Sequence, residues 1–341
     1  MRFEIVLPHD PGNRLLAEVA FDFRVHLPVL ILCRAFRLFY ARNETALPAR
    51  AAPITVGHGG GAGNLICERN VHMAYVHGYS ERETQRLYEQ ADILEDILHP
   101  GTAYPAGARV LEAGCGVGGQ TRFLVKRSPD ALFTCVDVSE KSLATARRLK
   151  AQAEFSHVAF QREDIHRLSF ADQTFDHVFV CFVLEHLDDP VGALVELKRV
   201  LAPGGTITVI EGDHGSCFWH PETPASVAAW NGLITAQRNL GHDPNIGRRL
   251  TPLLTEAGYD VQKCQPAWLY ADRLKPALRD GMVDHIIVPM VQSAEPQILT
   301  DRLVSKDVYE QGVRDLSRVD MVDEGTFFYT WFKAVATKRQ E

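Results

Sequence analysis

Seven cysteines stand singly along 341 residues, without the paired spacing of a disulfide framework. Cys135, Cys181 and Cys264 fall inside predicted strands, the pattern of buried thiols kept reduced, so a cytoplasmic setting is expected. Apolar runs of the roughly 20 residues that span a bilayer are also missing. The best candidate, 27–40, is interrupted or flanked by Arg24, Arg34 and Arg37. Glu4, Asp10, Glu18 and Asp22 precede any apolar region, which disfavours a secretory signal. Excess positive charge is lacking too: 36 basic against 43 acidic side chains give a net charge of −7, which argues against nucleic acid as the main partner.

What is present is a 46% apolar composition, ample for a sizeable core. Residues 1–72 differ from the rest: they contain arginine but no lysine, five prolines and a glycine-rich run over 57–63. They read as a poorly ordered extension, and Met73 is a candidate start of the folded domain. Ser80 with Glu83 forms a capping-box pair ahead of the stripe Leu87, Ala91, Leu94 and Leu98, which predicts a helix over 81–98. Strands are then predicted from 109, over 132–136, 157–161, 176–182 and 206–211. An amphipathic segment at 120–126, a helix opened by Ser139 and a helix capped by Asp189 and Pro190 separate them. Alternating strands and helices imply a doubly wound parallel sheet. Beyond 212 come helices at 224–240 and 248–257, a strand at 261–270, a helix-rich stretch over 271–318 and a final strand at 326–336.

The stretch V-L-E-A-G-C-G-V-G-G, Val110 to Gly119, carries a strand directly into a glycine turn and then a helix. Glycines there let the backbone approach a ligand or take positive φ, and the helix aims its first N–H groups at that ligand. A glycine turn alone serves NAD and other nucleosides alike. The spacing E-x-G-x-G-x-G sets Glu112 before the glycines, where a carboxylate suits an ammonium group. At this point the chain resembles the class I S-adenosylmethionine-dependent methyltransferases. Two further runs, Phe175–Leu187 and Arg199–Thr206, resemble the ubiquinone/menaquinone-biosynthesis-like branch of that family.

The resemblance implies a Rossmann-like seven-stranded sheet whose last two strands are antiparallel. It divides residues 73–341 into a lid helix (73–107), a cofactor-binding core (108–215) and a substrate side (216–341), with the helical insertion 271–318 as a cap. It implies S-adenosylmethionine as cofactor. Glu112, Gly114, Cys115, Gly116, Gly118 and Gln120 would then surround its methionine end. Asp137, with Val138, would accept the ribose hydroxyls, and Asp164 with Ile165 would meet the adenine. Tyr79, with Tyr75, would fold over the cofactor, and Phe182 would follow the fourth strand beside it.

Methyl transfer from a sulfonium is an in-line displacement that chiefly needs alignment in a site closed to water. An acceptor hydroxyl, thiol or ammonium also needs a base. Glu185, His186, Glu211, Asp213 and His214 follow the fourth and fifth strands and are the candidates. His214, Cys217 and His220 have a spacing that would suit a metal if helical, but packing against an acceptor pocket, with Trp219 as an apolar wall, is the reading preferred, with no metal. The expected acceptor is a small molecule, apolar or quinone-like. A homodimer is compatible with the sequence. The alternatives are a non-catalytic S-adenosylmethionine-binding protein and an NAD-dependent oxidoreductase, the latter disfavoured by Glu112 and the 199–206 turn.

Overall fold

The computed structural model describes residues 76–78, 80–152 and 158–339. The predicted extension 1–72, Tyr75, Tyr79 and His157 lie outside the described residues.

Helix α1, Glu81–Leu98, begins at Ser80, whose Oγ accepts from the Glu83 N–H at 3.0 Å. The other half of the expected capping box is diverted, because the Glu83 carboxylate pairs with Arg86 at 2.6 Å. Strand β1 (Arg109–Ala113) runs parallel to β2 (Leu132–Asp137) and β4 (Phe175–Cys181), and β3 (Val158–Arg162) lies outside β2. Helices α2 (Thr121–Arg127), α3 (Glu140–Gln152) and α4 (Pro190–Val200) make the crossovers. Strand β5, Leu201–Gly212, starts earlier than the sequence suggests: Phe175 pairs with Leu201 and His177 with Thr206, so the residues between, with Pro203-Gly204-Gly205 among them, bulge out of the ladder.

Strand β6 (Phe218–His220), which periodicity did not reveal, is followed by α5 (Pro224–Asn239), a 3₁₀ turn at Ile246–Arg249, α6 (Leu250–Glu256) and β7 (Asp260–Ala271). The last strand, β8 (Thr326–Thr337), runs antiparallel to β5, β6 and β7, so the sheet order is β3-β2-β1-β4-β5-β8 with β7 outermost and β6 continuing the line of β5. This is the doubly wound sheet that the alternating pattern implies, with the antiparallel final pair that the resemblance implies and one short extra strand.

Alternation along the strands divides two cores. Val178 and Val180 of β4 face one, with Leu194 and Leu197 of α4 and Leu250 and Leu254 of α6; Phe179 faces the other, with Leu94 of α1 and Leu124 of α2. Between β7 and β8 a helical insertion packs on the second core. It comprises α7 (Pro276–Asp280), a π-helical turn (Gly281–Ile287), α8 (Val288–Ser293), α9 (Glu295–Thr300) and α10 (Lys306–Leu316). The widened turn ends beside Pro289, which cannot donate to the carbonyl four residues back. Where α10 crosses α5, Gly312 has no room for a side chain: a Cβ would stand 2.2 Å from the Ala225 carbonyl oxygen. Among the described residues no helix is long and apolar enough to cross a membrane.

Candidate active site

The carboxyl ends of β1, β2 and β4 meet at one cavity of about 170 Å³. The turn after β1 is bent by Gly114 at φ +76°, and the N–H groups of Gly114 and Cys115 both donate to the Val136 carbonyl, at 2.8 and 2.9 Å. Gly116, at φ +53°, donates to Asp137 Oδ2 at 2.8 Å, while Asp137 Oδ1 accepts from Ser139 at 2.8 Å. Asp137 is thus fixed by the turn it faces, and each oxygen keeps a lone pair that a hydroxyl in the cavity could use. Burial raises its pKa, against the two backbone donors. Phe182 closes the far wall in a left-handed conformation, φ +59°, its N–H bonded to Ile210 O at 2.9 Å. A bulky residue held there is an outlier of the kind that gathers at functional sites.

Gly114, Cys115, Gly116, Gln120, Asp137, Val138, Phe182 and His186 all line this cavity, as does α1 through Glu83, Thr84, Leu87 and Gln90. Four predicted ligand residues do not. Glu112 is buried behind the turn, where Oε2 accepts from Thr121 at 2.6 Å and lies 3.3 Å from Cys135 Sγ; burial pushes it up to about 7. Its contacts tie β1 to α2 instead of opening towards an ammonium group. Gly118 serves packing, since a Cβ there would lie 3.3 Å from Ala146. Asp164 is exposed, with Oδ1 accepting from the His166 N–H at 2.9 Å, and Ile165 is buried in the core beside Val136.

A smaller chamber of about 50 Å³ adjoins the first, sharing Leu87, Gln90, Phe182 and His186 with it. Its polar floor is Glu185, His186, His214 and Tyr329, with Arg86 and His77 at the rim. The opposite wall, Met282, Ile286, Ile287 and Met290, comes from the insertion. His214 is held from several sides: its N–H donates to Pro244 O at 2.9 Å, its carbonyl accepts from Trp230 Nε1 at 3.1 Å, and Nδ1 lies 2.6 Å from the Tyr329 hydroxyl. His214 Nε2 has no hydrogen-bond partner and lies 3.8 Å from Glu185 Oε2, while Glu185 Oε1 lies 3.7 Å from His186 Nε2.

Burial sets the charge states. It pushes His214 down to about 3, with the Arg86 guanidinium adding to the effect, so this imidazole is neutral at neutral pH. It raises Glu185, and the Arg86 charge partly offsets that rise. Two of the five candidate bases lie outside the chamber. Asp213 is clamped by Arg248 through bonds of 3.0 and 2.7 Å, and Glu211 Oε1 accepts the Val183 and Leu184 N–H groups at 3.0 and 2.8 Å, pinning the loop after β4. His214, Cys217 and His220 do not converge as a helix would arrange them: a 3₁₀ turn and β6 leave His214 buried and His220 exposed.

Arg86, His77, Tyr329 and the insertion wall were not foreseen as site residues. The available signal was polar: Glu83, Arg86 and Gln90 sit on the buried stripe of α1, where unpaired charge is costly. Arg86 satisfies itself within that stripe, donating to both Glu83 oxygens at 2.8 and 2.6 Å and to Gln90 Oε1 at 2.7 Å.

Residues 111–209 match the family model described as a methyltransferase domain. An uncharacterised methyltransferase of Schizosaccharomyces pombe is 33% identical over 177 residues, covering 48% of this chain and 62% of the relative. The 27-O-demethylrifamycin SV methyltransferase of Amycolatopsis mediterranei is 28% identical over 62% of this chain and 78% of its own length. The demethylmenaquinone methyltransferase of Thermus thermophilus is 40% identical over 31% of this chain and 48% of its own. The chain spans less than two thirds of the length of several curated relatives it matches.

Proposed function

We propose that this chain, whose residues 111–209 match the methyltransferase-domain model, is a class I S-adenosylmethionine-dependent methyltransferase that methylates a hydroxyl group on a small, largely apolar acceptor. The observation that carries this reading is the junction of the two cavities at Leu87, Gln90, Phe182 and His186, with Glu185 and His214 on one side and the Met282–Met290 wall on the other. The glycine turn and the spare lone pairs of Asp137 fit the nucleoside cofactor. Bound there, S-adenosylmethionine supplies an electrophilic methyl group.

The protein's own residues then have three tasks. The insertion wall excludes water and packs the apolar body of the acceptor. His214, neutral and fixed by Tyr329, orients the hydroxyl. Glu185 takes the hydroxyl proton; a carboxylate raised by burial has a proton affinity closer to neutral pH, where a general base works best. The name of the Amycolatopsis relative specifies an oxygen as its methylation site, which supports a hydroxyl acceptor, and that of the Thermus relative a quinone-related acceptor, which supports an apolar one.

The test is label transfer from methyl-labelled S-adenosylmethionine into a native metabolite extract, with the wild type and Glu185→Gln compared. The expected product carries a labelled methyl ether, and E185Q lowers the rate by about 10²–10⁴ with cofactor affinity retained. A labelled N-methyl or C-methyl product, or an E185Q enzyme of normal rate, refutes the assignment.

A further inference from the structure

Each O-methylation leaves one proton in a chamber covered on one side by the insertion and on the other by bound cofactor. If Glu185 receives that proton, it must lose it before the next turnover. The side chains behind Glu185 form a path. Edge-on to the ring of His186 stands the ring of His242, with centroids 5.8 Å apart and planes at 80°. The loop carrying His242 is anchored to the same turn, for the Asp243 N–H donates to the Glu185 carbonyl at 3.1 Å. Beyond His242 lies the exposed Asp188: its Oδ1 would stand 2.8 Å from a Cβ on the neighbouring Gly241. His242 Nδ1 is buried and has no hydrogen-bond partner.

We propose that His186 and His242 conduct the acceptor's proton from Glu185 to solvent beside Asp188. The inference rests on the reading of Glu185 as the base. The acceptor O–H bond breaks and the proton passes to the Glu185 carboxylate. It moves next to His186 Nε2, and His186 gives up a proton from its other nitrogen to His242, which releases one to water. No electrons change hands. A neutral imidazole serves such a step because it gains a proton at one nitrogen as it loses one from the other, and a single water can bridge a gap beyond hydrogen-bond length.

A second exit would run through His77, whose ring lies 6.2 Å from that of His186 and whose Nδ1 is 2.6 Å from Ser293 Oγ, into a polar vestibule lined by Ser80, Arg82 and Arg86. Charge opposes it. Burial lowers the proton affinity of both rings; the Arg86 guanidinium lowers that of His77 further, whereas the Asp188 carboxylate partly offsets the loss at His242. The field therefore slopes from Arg86 towards Asp188.

The experiment uses the full chain, methyl-labelled S-adenosylmethionine and the extract fraction that accepts label, with rapid-quench and steady-state rates measured in weak buffer. For His242→Phe and the more conservative His242→Gln, the first turnover is expected within about twofold of wild type, while steady-state turnover falls about tenfold and is restored by added imidazole. Asp188→Asn should show the same pattern, weaker. Steady-state rates equal to wild type in weak buffer, or a first turnover slowed as much as the later ones, overturn the proposal. A normal E185Q rate would instead remove the reading beneath it, so the two failures are distinguishable.

Discussion

Asp137 both braces the fold and faces the cavity. Its oxygens accept from Gly116 and Ser139, both at 2.8 Å, so it braces the glycine turn while lining the cavity. Asp137→Ala removes the ribose acceptor and orphans two N–H groups. With hydrogen bonds to a charged group worth about 1.5–3 kcal/mol each, S-adenosylmethionine affinity should fall at least about tenfold in calorimetry. Unchanged affinity would mean that the ribose sits elsewhere. That Asp137 faces the cavity was legible from its place at the end of a predicted strand two dozen residues past the glycines. Glu112 was legible as a motif residue, but its contacts were not, because spacing along a strand does not say which partner a buried carboxylate meets. Thr121, nine residues on, reaches it only because the glycine turn folds α2 back over β1.

At the level of elements, the turn after β1 and the loop after β4 are built as one joint. A Cβ on Gly114 would fall 2.3 Å from Val183 Cγ2, and the same loop is pinned through its Val183 and Leu184 N–H groups to Glu211. Gly114→Ala therefore suffers both the positive φ, 76°, and the clash. It should lower the melting temperature and abolish cofactor binding. Adding Val183→Ala relieves the clash but leaves the backbone strain, so the double variant should recover part of the stability lost to G114A, a favourable coupling in a double-mutant cycle. Strictly additive losses would show that the two loops move independently. Core strands and their helices were readable because apolar runs bounded by glycine, proline and capping residues leave little choice. Strand β6 was not, since three residues between a 3₁₀ turn and Pro221 show no period and pair only because β8 extends past the end of β5.

Across the whole molecule, the insertion from 272 to 325 converts an open sheet edge into a chamber. Its helical character followed from the pattern and its place as a cap only from the family resemblance; the residues it turns inward followed from neither, because they depend on how α7, the π turn and α8 stack over α1. Here and elsewhere the fold buries titratable groups of both kinds, which gives it a characteristic pH dependence. Six histidines, His77, His99, His177, His186, His214 and His242, bind protons more weakly than the usual 6.5, chiefly through burial, with His99 at about 4 and His214 at about 3. Their contribution to stability is complete above 6.5 and is lost as pH falls towards the folded values, where the unfolded chain takes up the protons. Glu112, Asp137, Glu185, Glu211 and Asp320 act in the opposite sense: raised above their usual values by burial, they favour the fold at low pH and lose that advantage as pH rises, through about 6 for Asp320 and about 7 for Glu112. Between 4.5 and 6.5 the six histidines exceed the five carboxyls by one, and each net proton is worth about 1.4 kcal/mol per pH unit. The melting temperature of the cofactor-free protein should accordingly climb from pH 5 to about 6.5 and then decline gently as the last carboxyls ionise. Differential scanning calorimetry across pH 5–8.5 measures this directly, and a melting temperature highest at pH 5 would show that the histidines are charged inside the fold.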